Sequence, residues 1–366
     1  MFRLKILVFA LLGSGISASA QIYQAVFPNL SGPELYDSVV LAFKPDSVLD
    51  YANARDTLYA KVLAIDDDSL RCIYSGHTLY LDPTQDPTQY VYLNGISLGM
   101  NTEHGYPQAK GAANGNARSD MHHLFPARIP VNEARGNLPY AEIPDAQTQK
   151  WFYKTFVLNS IPAVDKDLYS EATGAAFEPR EAVKGDLARA IFYFYTMYRA
   201  EADLADPAFF SIQRATLCQW HDQDPADSSE LIKTWRIAPY QENKPNPFIL
   251  DCTLARRIYC PELAQSCTSN TTEPGQHPLG LRLAPNPLQG PGQVEMTLPF
   301  SGTVTLRLYS VIGAELASWQ ITDAPAGFFR FGVETPVGLQ ASPGFLEVQL
   351  QGSGRMIRET VAVVLR

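Results

Sequence analysis

The run Asn101-Thr102-Glu103-His104-Gly105-Tyr106-Pro107-Gln108 sets a carboxylate beside an imidazole. A carboxamide follows in Asn132-Glu133-Ala134-Arg135-Gly136-Asn137. A hard divalent cation takes oxygen ligands of the kind that Glu103 and Asn132 supply. Hydrolysis also needs an unliganded base that titrates near neutral pH, and the His104 imidazole is such a group. Between the two runs, Ser119-Asp120-Met121-His122-His123-Leu124 adds another carboxylate and two more imidazoles. Together these residues describe a one-metal hydrolytic site. A Glu-His pair alone is more often a surface feature than a catalytic one, so the signal rests on the three runs occurring in order.

The elements around these runs must bring them together. Neighbouring side chains of a regular strand point to opposite faces, so Glu103 and His104 share one site only if the backbone bends, for which Gly105 and Pro107 are suited. Asn132 is expected on a helix. Runs at Thr78 to Leu81 and Tyr90 to Leu93 read as strands. The clearest helix follows Phe177-Glu178-Pro179-Arg180, where Val183, Leu187, Ala190, Ile191, Phe194 and Met197 make one apolar face. Pro179 suits its first turn. Ser266 to Gly280 is rich in polar and turn-forming residues and reads as a linker. Beyond it, Val304-Thr305-Leu306-Arg307-Leu308 and Leu346-Glu347-Val348-Gln349-Leu350 alternate strictly, as strands of a small antiparallel β-sandwich do.

The chain has 366 residues. Its first twenty carry Arg3 and Lys5, an apolar run from Ile6 to Leu12 and the small-residue ending Ala18-Ser19-Ala20, which is the pattern of a cleavable secretory signal. No later stretch approaches the roughly 18 apolar residues of a membrane span, so stable membrane insertion is not expected. The formal charge of −9 becomes −11 without the two signal cations, which speaks against tight binding of nucleic acid by a broadly basic surface. Residues 103–140 differ, with Lys110, Arg118, Arg128 and Arg135 against Glu103, Asp120 and Glu133. Five cysteines behind a secretory signal permit disulfides and leave one thiol over. Cys260 and Cys267, close in sequence, are the preferred pair. No His-Glu-x-x-His, Gly-rich phosphate loop or Gly-x-Ser-x-Gly is present, which argues against a zinc peptidase, a nucleotide-dependent enzyme and a serine hydrolase.

The three runs resemble the endonuclease I family of secreted bacterial nucleases, whose site carries Thr-Glu-His-x-x-Pro-Gln, Ser-Asp-x-His-His-Leu and Asn-x-x-Arg-x-Asn. Lys184-Gly185-Asp186-Leu187-Ala188-Arg189-Ala190 and Trp220-His221-Asp222-Gln223-Asp224-Pro225 resemble the same family. Gln241 to Phe248 is one residue longer than the family's corresponding loop, which puts phosphate contacts from that loop in doubt. The resemblance implies an α+β fold: a ββα-metal nuclease domain with surrounding helices, here followed by the β-sandwich. It implies Glu103 and Asn132 as ligands of magnesium, with manganese or calcium as alternatives, and His104 as the base that deprotonates water. Asp120 is expected behind the ligands as an orienting group. His122 and His123 either orient the phosphate or His104, or are structural. Arg135 either neutralises the phosphate or ties its helix to the core, while Arg118 and Arg189 are further candidates for phosphate contact.

The C-terminal part resembles the type A sorting domain of the type IX secretion system in its Ala284-Pro285-Asn286-Pro287 opening, Leu308-Tyr309-Ser310-Val311-Ile312-Gly313 and Pro343-Gly344-Phe345. Tyr309-Ser310 stands where such domains often carry Asp, and Arg366 replaces the commoner terminal Lys. The expected organisation is a signal at 1–20, a nuclease domain at 21–265, a linker at 266–280 and a sorting sandwich at 281–366. The expected product is a monomeric, secreted or cell-surface endonuclease exported through the periplasm by the type IX machinery. It would act on DNA, with RNA as a second substrate, without strong sequence preference, leaving 5′-phosphates. The competing possibility is an inactive nucleic-acid-binding or matrix protein on a nuclease-like scaffold, against which the intact Glu103, His104 and Asn132 speak.

Overall fold

The computed structural model describes residues 26–65, 68–94, 99–262, 279–284, 291–310, 315–334, 342–352 and 355–365. The signal segment, nearly all of the linker, Cys267, Pro285-Asn286-Pro287 and Val311-Ile312-Gly313 lie outside the described residues. The helices that matter for the site are α1 (Gly32–Phe43), α2 (Tyr51–Thr57), α3 (Pro87–Leu93), α4 (Gly115–Ser119), α5 (Ile129–Arg135), α6 (Lys184–Met197), α7 (Arg199–Ala205), α8 (Phe209–Gln223) and α9 (Ser228–Ile237). Between them run antiparallel pairings of β1 (Ser69–Arg71) with β2 (Thr78–Tyr80), of β3 (Met100–His104) with β4 (Leu124–Arg128), and of β5 (Lys150–Tyr153) with both β6 (Phe156–Leu158) and β7 (Ser170–Ala172). The order is thus a mixed helix and sheet arrangement. Its core is built on α6, whose residues are almost all buried, with α8 packed beside it.

Local signals explain most of these boundaries. The Asp50 carboxylate accepts from the backbone N–H groups of Ala52 and Asn53 and so caps α2. Helix α3 overturns the expected strand at Tyr90 to Leu93: Asp86 accepts from Gln89 N at 2.7 Å, and Pro87 occupies the first turn. A capped start outweighs the strand preference of Tyr90, Val91 and Tyr92. Helix α6 begins at Lys184 after a tight turn at Glu181–Val183, so Pro179 precedes the helix and is not in its first turn. Helix α5 ends where Gly136 takes φ +50° and donates its N–H to Asn132 O, a backbone angle that favours glycine.

The C-terminal strands are β8 (Arg282–Ala284), β9 (Pro291–Leu298), β10 (Gly302–Ser310), β11 (Glu315–Ala324), β12 (Gly327–Glu334), β13 (Ser342–Gly352) and β14 (Arg355–Leu365). They form two antiparallel sheets, in the orders β11-β10-β13-β14 and β12-β9-β8. Val304, Leu306 and Leu308 point inward from β10, and Leu346, Val348 and Leu350 from β13, as the alternation requires. Together with Val294, Met296 and Leu298 they make a separate core. Among the described residues no helix is long and apolar enough to cross a membrane.

The cysteines pair otherwise than expected. Cys260 is bonded to Cys218, with a Cα–Cα distance of 5.7 Å, across 42 residues of sequence. The bridge ties α8 to the end of the helix Leu254–Ile258, and Cys260 is thereby unavailable to Cys267. Spatial packing of two helices decides the partner here, not closeness along the chain. Cys72 is a free, buried thiol whose sulfur accepts from the N–H groups of Ser75 and Arg128.

Candidate active site

Strands β3 and β4 and helix α5 bring the three runs together. The ladder pairs Glu103 with Phe125 and His104 with Leu124, and it continues beyond the strand as Gly105 N donates to His123 O at 2.8 Å. The backbone is therefore regular through Glu103 and His104, and the bend expected between them does not occur. Their side chains leave β3 on opposite faces.

Glu103 faces α5. Its Oε1 accepts from the Tyr74 hydroxyl at 2.6 Å and lies 2.9 Å from Arg135 Nη1. Tyr74 in turn meets the Tyr140 hydroxyl at 2.6 Å. Burial, joined by the neighbouring Glu103 charge, pushes the Tyr74 phenol well above its usual range, so it stays a donor. Burial also raises the Glu103 pKa, against the opposing pull of Arg135 and Tyr74. Asn101 lies on the same face of β3, two residues before Glu103, and its Oδ1 accepts from Asn132 Nδ2 at 2.7 Å. Asn132 and Arg135 stand three apart on α5 and both meet this face. The carboxylate of Glu103 and the carboxamide of Asn132 therefore converge on one strand–helix interface, and the Asn132 carbonyl oxygen has no hydrogen-bond partner among the described residues.

Arg135 is 1 % exposed. Its Nη1 donates to His104 O at 3.1 Å and its Nη2 to Gly105 O at 2.6 Å, and its guanidinium carbon lies 4.9 Å from the centre of the Tyr140 ring. Of the two roles open to Arg135, this geometry is that of a tie between helix, strand and Glu103.

His104 faces the other way. Its Nε2 lies 3.0 Å from the Arg118 carbonyl, which can only accept, so Nε2 carries the proton and Nδ1 keeps its lone pair. The nearest donor to Nδ1 is the Gln108 amide at 3.4 Å, a long contact. Burial, with lesser contributions from the guanidinium groups of Arg118, Arg135 and Arg55, holds the His104 pKa down to about 4. The Tyr51 ring lies 5.4 Å from the imidazole, and the guanidinium carbons of Arg118 and Arg55 stand 4.3 and 4.6 Å from the Tyr51 centroid. Neither Arg118 Nε nor Arg55 Nε has a hydrogen-bond partner among the described residues. Arg118 is thus placed beside His104 with donors to spare. The part of Tyr51, Arg55, Tyr74 and Tyr140 is not legible in the sequence, since isolated tyrosines and arginines carry no spacing signal.

The other candidates lie deeper. His123 is fully buried behind His104, with ring centroids 5.4 Å apart, and donates through Nε2 to Ala117 O. His122 is turned away, toward Lys244 O at 2.9 Å and the edge of Tyr193. Asp120 is fully buried: it accepts from His122 N, Gln241 Nε2 and the hydroxyls of Tyr193 and Tyr198, so it shapes the turn that leads into β4. Arg189 is also fully enclosed. Its Nε and Nη2 are held by Glu230 and its Nη1 by Asp224 O, so with no exposed surface it is engaged in the core and not offered to a phosphate.

The family model described as Endonuclease I matches residues 39–252, more than half of the chain and all of the segments just described. The chain belongs to the endonuclease I family. Two relatives are extracellular ribonucleases. That of Bacillus subtilis (strain 168) is 28% identical over 285 residues, covering 67% of this chain and 92% of its own length. That of Bacillus amyloliquefaciens is 32% identical over 174 residues, covering 43% of this chain and 53% of its own length. In this endonuclease I chain no group of three or more His, Cys, Asp and Glu side chains among the described residues is placed to hold a metal ion. The donors at the β3–α5 interface are instead oxygens, few in number, which is the set that magnesium accepts while keeping most of its waters.

Proposed function

We propose that this endonuclease I chain is a secreted, magnesium-dependent and largely sequence-nonspecific endonuclease that cleaves phosphodiester bonds of RNA and DNA to leave 5′-phosphates. The observation that carries the proposal is the disposition of one strand: Glu103 and Asn132 converge on one side of β3, and the unprotonated Nδ1 of His104 lies on the other. In-line displacement at phosphorus needs its base and its leaving-group stabiliser on opposite sides of the phosphate, and we assign His104 to one side and an ion held by Glu103 and Asn132 to the other. Glu103 and Asn132 would hold the ion, which supplies charge stabilisation for the departing 3′-oxygen. His104 takes the proton of the attacking water at Nδ1, while its Nε2–H bond to Arg118 O fixes ring and tautomer. Arg118 offers its guanidinium to the phosphate.

Because the nucleophile is water and not a ribose hydroxyl, the chemistry is indifferent to the 2′ position. That accommodates both DNA and the ribonuclease names of the two relatives. The test is incubation of plasmid DNA and of RNA with the protein, with magnesium, with EDTA, and with magnesium restored in excess. Cleavage of both substrates that EDTA stops and magnesium restores, with 5′-phosphate and 3′-hydroxyl ends, is the expected outcome. Products ending in 2′,3′-cyclic phosphate, or activity untouched by EDTA, would reject the mechanism.

The alternating C-terminal strands, with a core of their own, suit a separate sorting module, and we assign them to export by the type IX system through the periplasm. Removing residues 281–366 should leave nuclease activity intact and strand the protein in the periplasm, since those strands carry none of the three runs and keep a core of their own. Fractionation and activity measurement of the truncated chain decide it. A folded but inactive truncated protein would count against the assignment.

A further inference from the structure

Outside the site, one cluster of cations stands apart in a chain of net charge −9. The hairpin of β1 and β2 encloses the loop Cys72 to His77, where Gly76 takes φ +64°. Arg71 Nη2 and Lys154 Nζ lie 3.5 and 3.7 Å from the point that a Cβ on Gly76 would occupy. Lys154 sits at the tip of the β5–β6 hairpin with φ +51°, a conformation a lysine rarely adopts. It is fastened there by its N–H bond to Ser75 O and its ammonium bond to Gly76 O, both 2.7 Å. Arg180 joins them through its Nε bond to Ile73 O at 3.1 Å.

None of the three has a carboxylate within ion-pairing distance among the described residues. Asp186 and Asp224, the acids nearest to Arg180 in electrostatic effect, are engaged with Arg189 at 3.6 Å and with Gly185 N at 2.8 Å. Burial first, and then the charges of Arg71 and Arg180, hold the Lys154 ammonium below its usual value. Arg180 is lowered likewise by burial and by Arg71. Like charges gathered without counter-charge raise the free energy of the empty protein, and a bound anion relieves it. The same loop carries Tyr74, the hydroxyl donor to Glu103, so an anion held at the loop is fixed in register with the catalytic carboxylate. At the hairpin tip Phe156, 61 % exposed, pairs across from Tyr153 and offers an aromatic face beside the cations.

We propose that Arg71, Lys154 and Arg180 form a second anion site, which grips backbone phosphates of a nucleic-acid strand away from the bond being cut. The identity of the polyanion rests on the nuclease reading, whereas the site itself does not.

The test uses the full chain with His104→Ala, so that the probe survives. A fluorescent 20-nucleotide single strand of mixed sequence is titrated by anisotropy at several sodium chloride concentrations. Each phosphate contact on a single strand contributes about 0.7 to the slope of log K against log salt. Arg71→Gln/Lys154→Gln should therefore lower the slope by about 1.4 and weaken binding at low salt by roughly tenfold or more. Arg71→Gln alone removes a side chain without a hydrogen bond among the described residues, so folding is spared, and it should give about half that change in slope. With His104 restored, the double variant should raise KM on long nucleic acid and leave kcat unchanged. An unaltered slope in folded variants overturns the site. Should the wild-type chain cleave neither RNA nor DNA while the slope still falls, the nuclease reading fails and the anion site stands.

Discussion

His104→Ala is expected to reduce cleavage of RNA and DNA by about 10²- to 10⁴-fold, the contribution typical of a general base, and to leave magnesium affinity unchanged. The imidazole faces away from the β3–α5 interface, toward Arg118 O and Tyr51, so its loss takes away a proton acceptor and no ligand. Asn132→Ala and Glu103→Gln should do the reverse. They remove oxygen donors, so they should weaken metal affinity and be partly rescued by high magnesium. Calorimetric titration of the three variants with magnesium, beside plasmid-nicking assays, separates the two classes. If His104→Ala loses metal binding as severely as Asn132→Ala, the imidazole is a ligand and its role as base is wrong. Gln108→Ala, which removes only a 3.4 Å contact to Nδ1, should cost far less activity than His104→Ala.

What is legible in the chain is the set of groups with a spacing. Glu103, His104 and Asn132 stand out because their runs occur in order, and the helix beneath Asn132 is foreseeable from the same order. The alternation in Val304 to Leu308 and Leu346 to Leu350 becomes strands β10 and β13 for the same reason: a period is visible without a partner. Groups that act across space leave no such trace. Tyr74 reaches Glu103 from 29 residues upstream and Tyr140 reaches Tyr74 from 66 downstream, and neither position is marked by its neighbours. The Cys218–Cys260 bridge escapes the sequence because nearness along the chain is a poor guide once two helices pack. At Tyr90 to Leu93 side-chain preference alone misleads, because the capping Asp86 with Pro87 behind it carries the deciding signal. The expected bend between Glu103 and His104 fails for a more instructive reason. The ladder pairs Glu103 with Phe125 and His104 with Leu124 and runs on to Gly105, so alternation persists where a glycine invited a bend.

Arg135→Ala should destabilise the fold by about 3–5 kcal/mol, the cost typical of stripping one partner from a buried ion pair. The Glu103 carboxylate, 4 % exposed, would keep the Tyr74 hydroxyl but lose its only salt-bridged cation among the described residues. The carbonyls of His104 and Gly105 would lose a charged donor as well. Arg135→Lys should rescue little, because a single ammonium cannot reproduce a planar fork that serves Glu103 and two carbonyls at once. Glu103→Gln is the informative contrast. A glutamine of the same shape keeps an oxygen for Tyr74 and leaves Arg135 bonded to both carbonyls, so its stability loss should be clearly smaller, while its metal affinity falls. Urea denaturation of the three variants, read beside magnesium titration, tests the division of labour. Arg135 is assigned the work of holding β3 to α5, and with it the angle at which Glu103 meets Asn132. A stable, folded Arg135→Ala protein that binds magnesium normally but has lost cleavage would show instead that the guanidinium acts on the substrate, and the buried strand–helix interface would have to open during turnover.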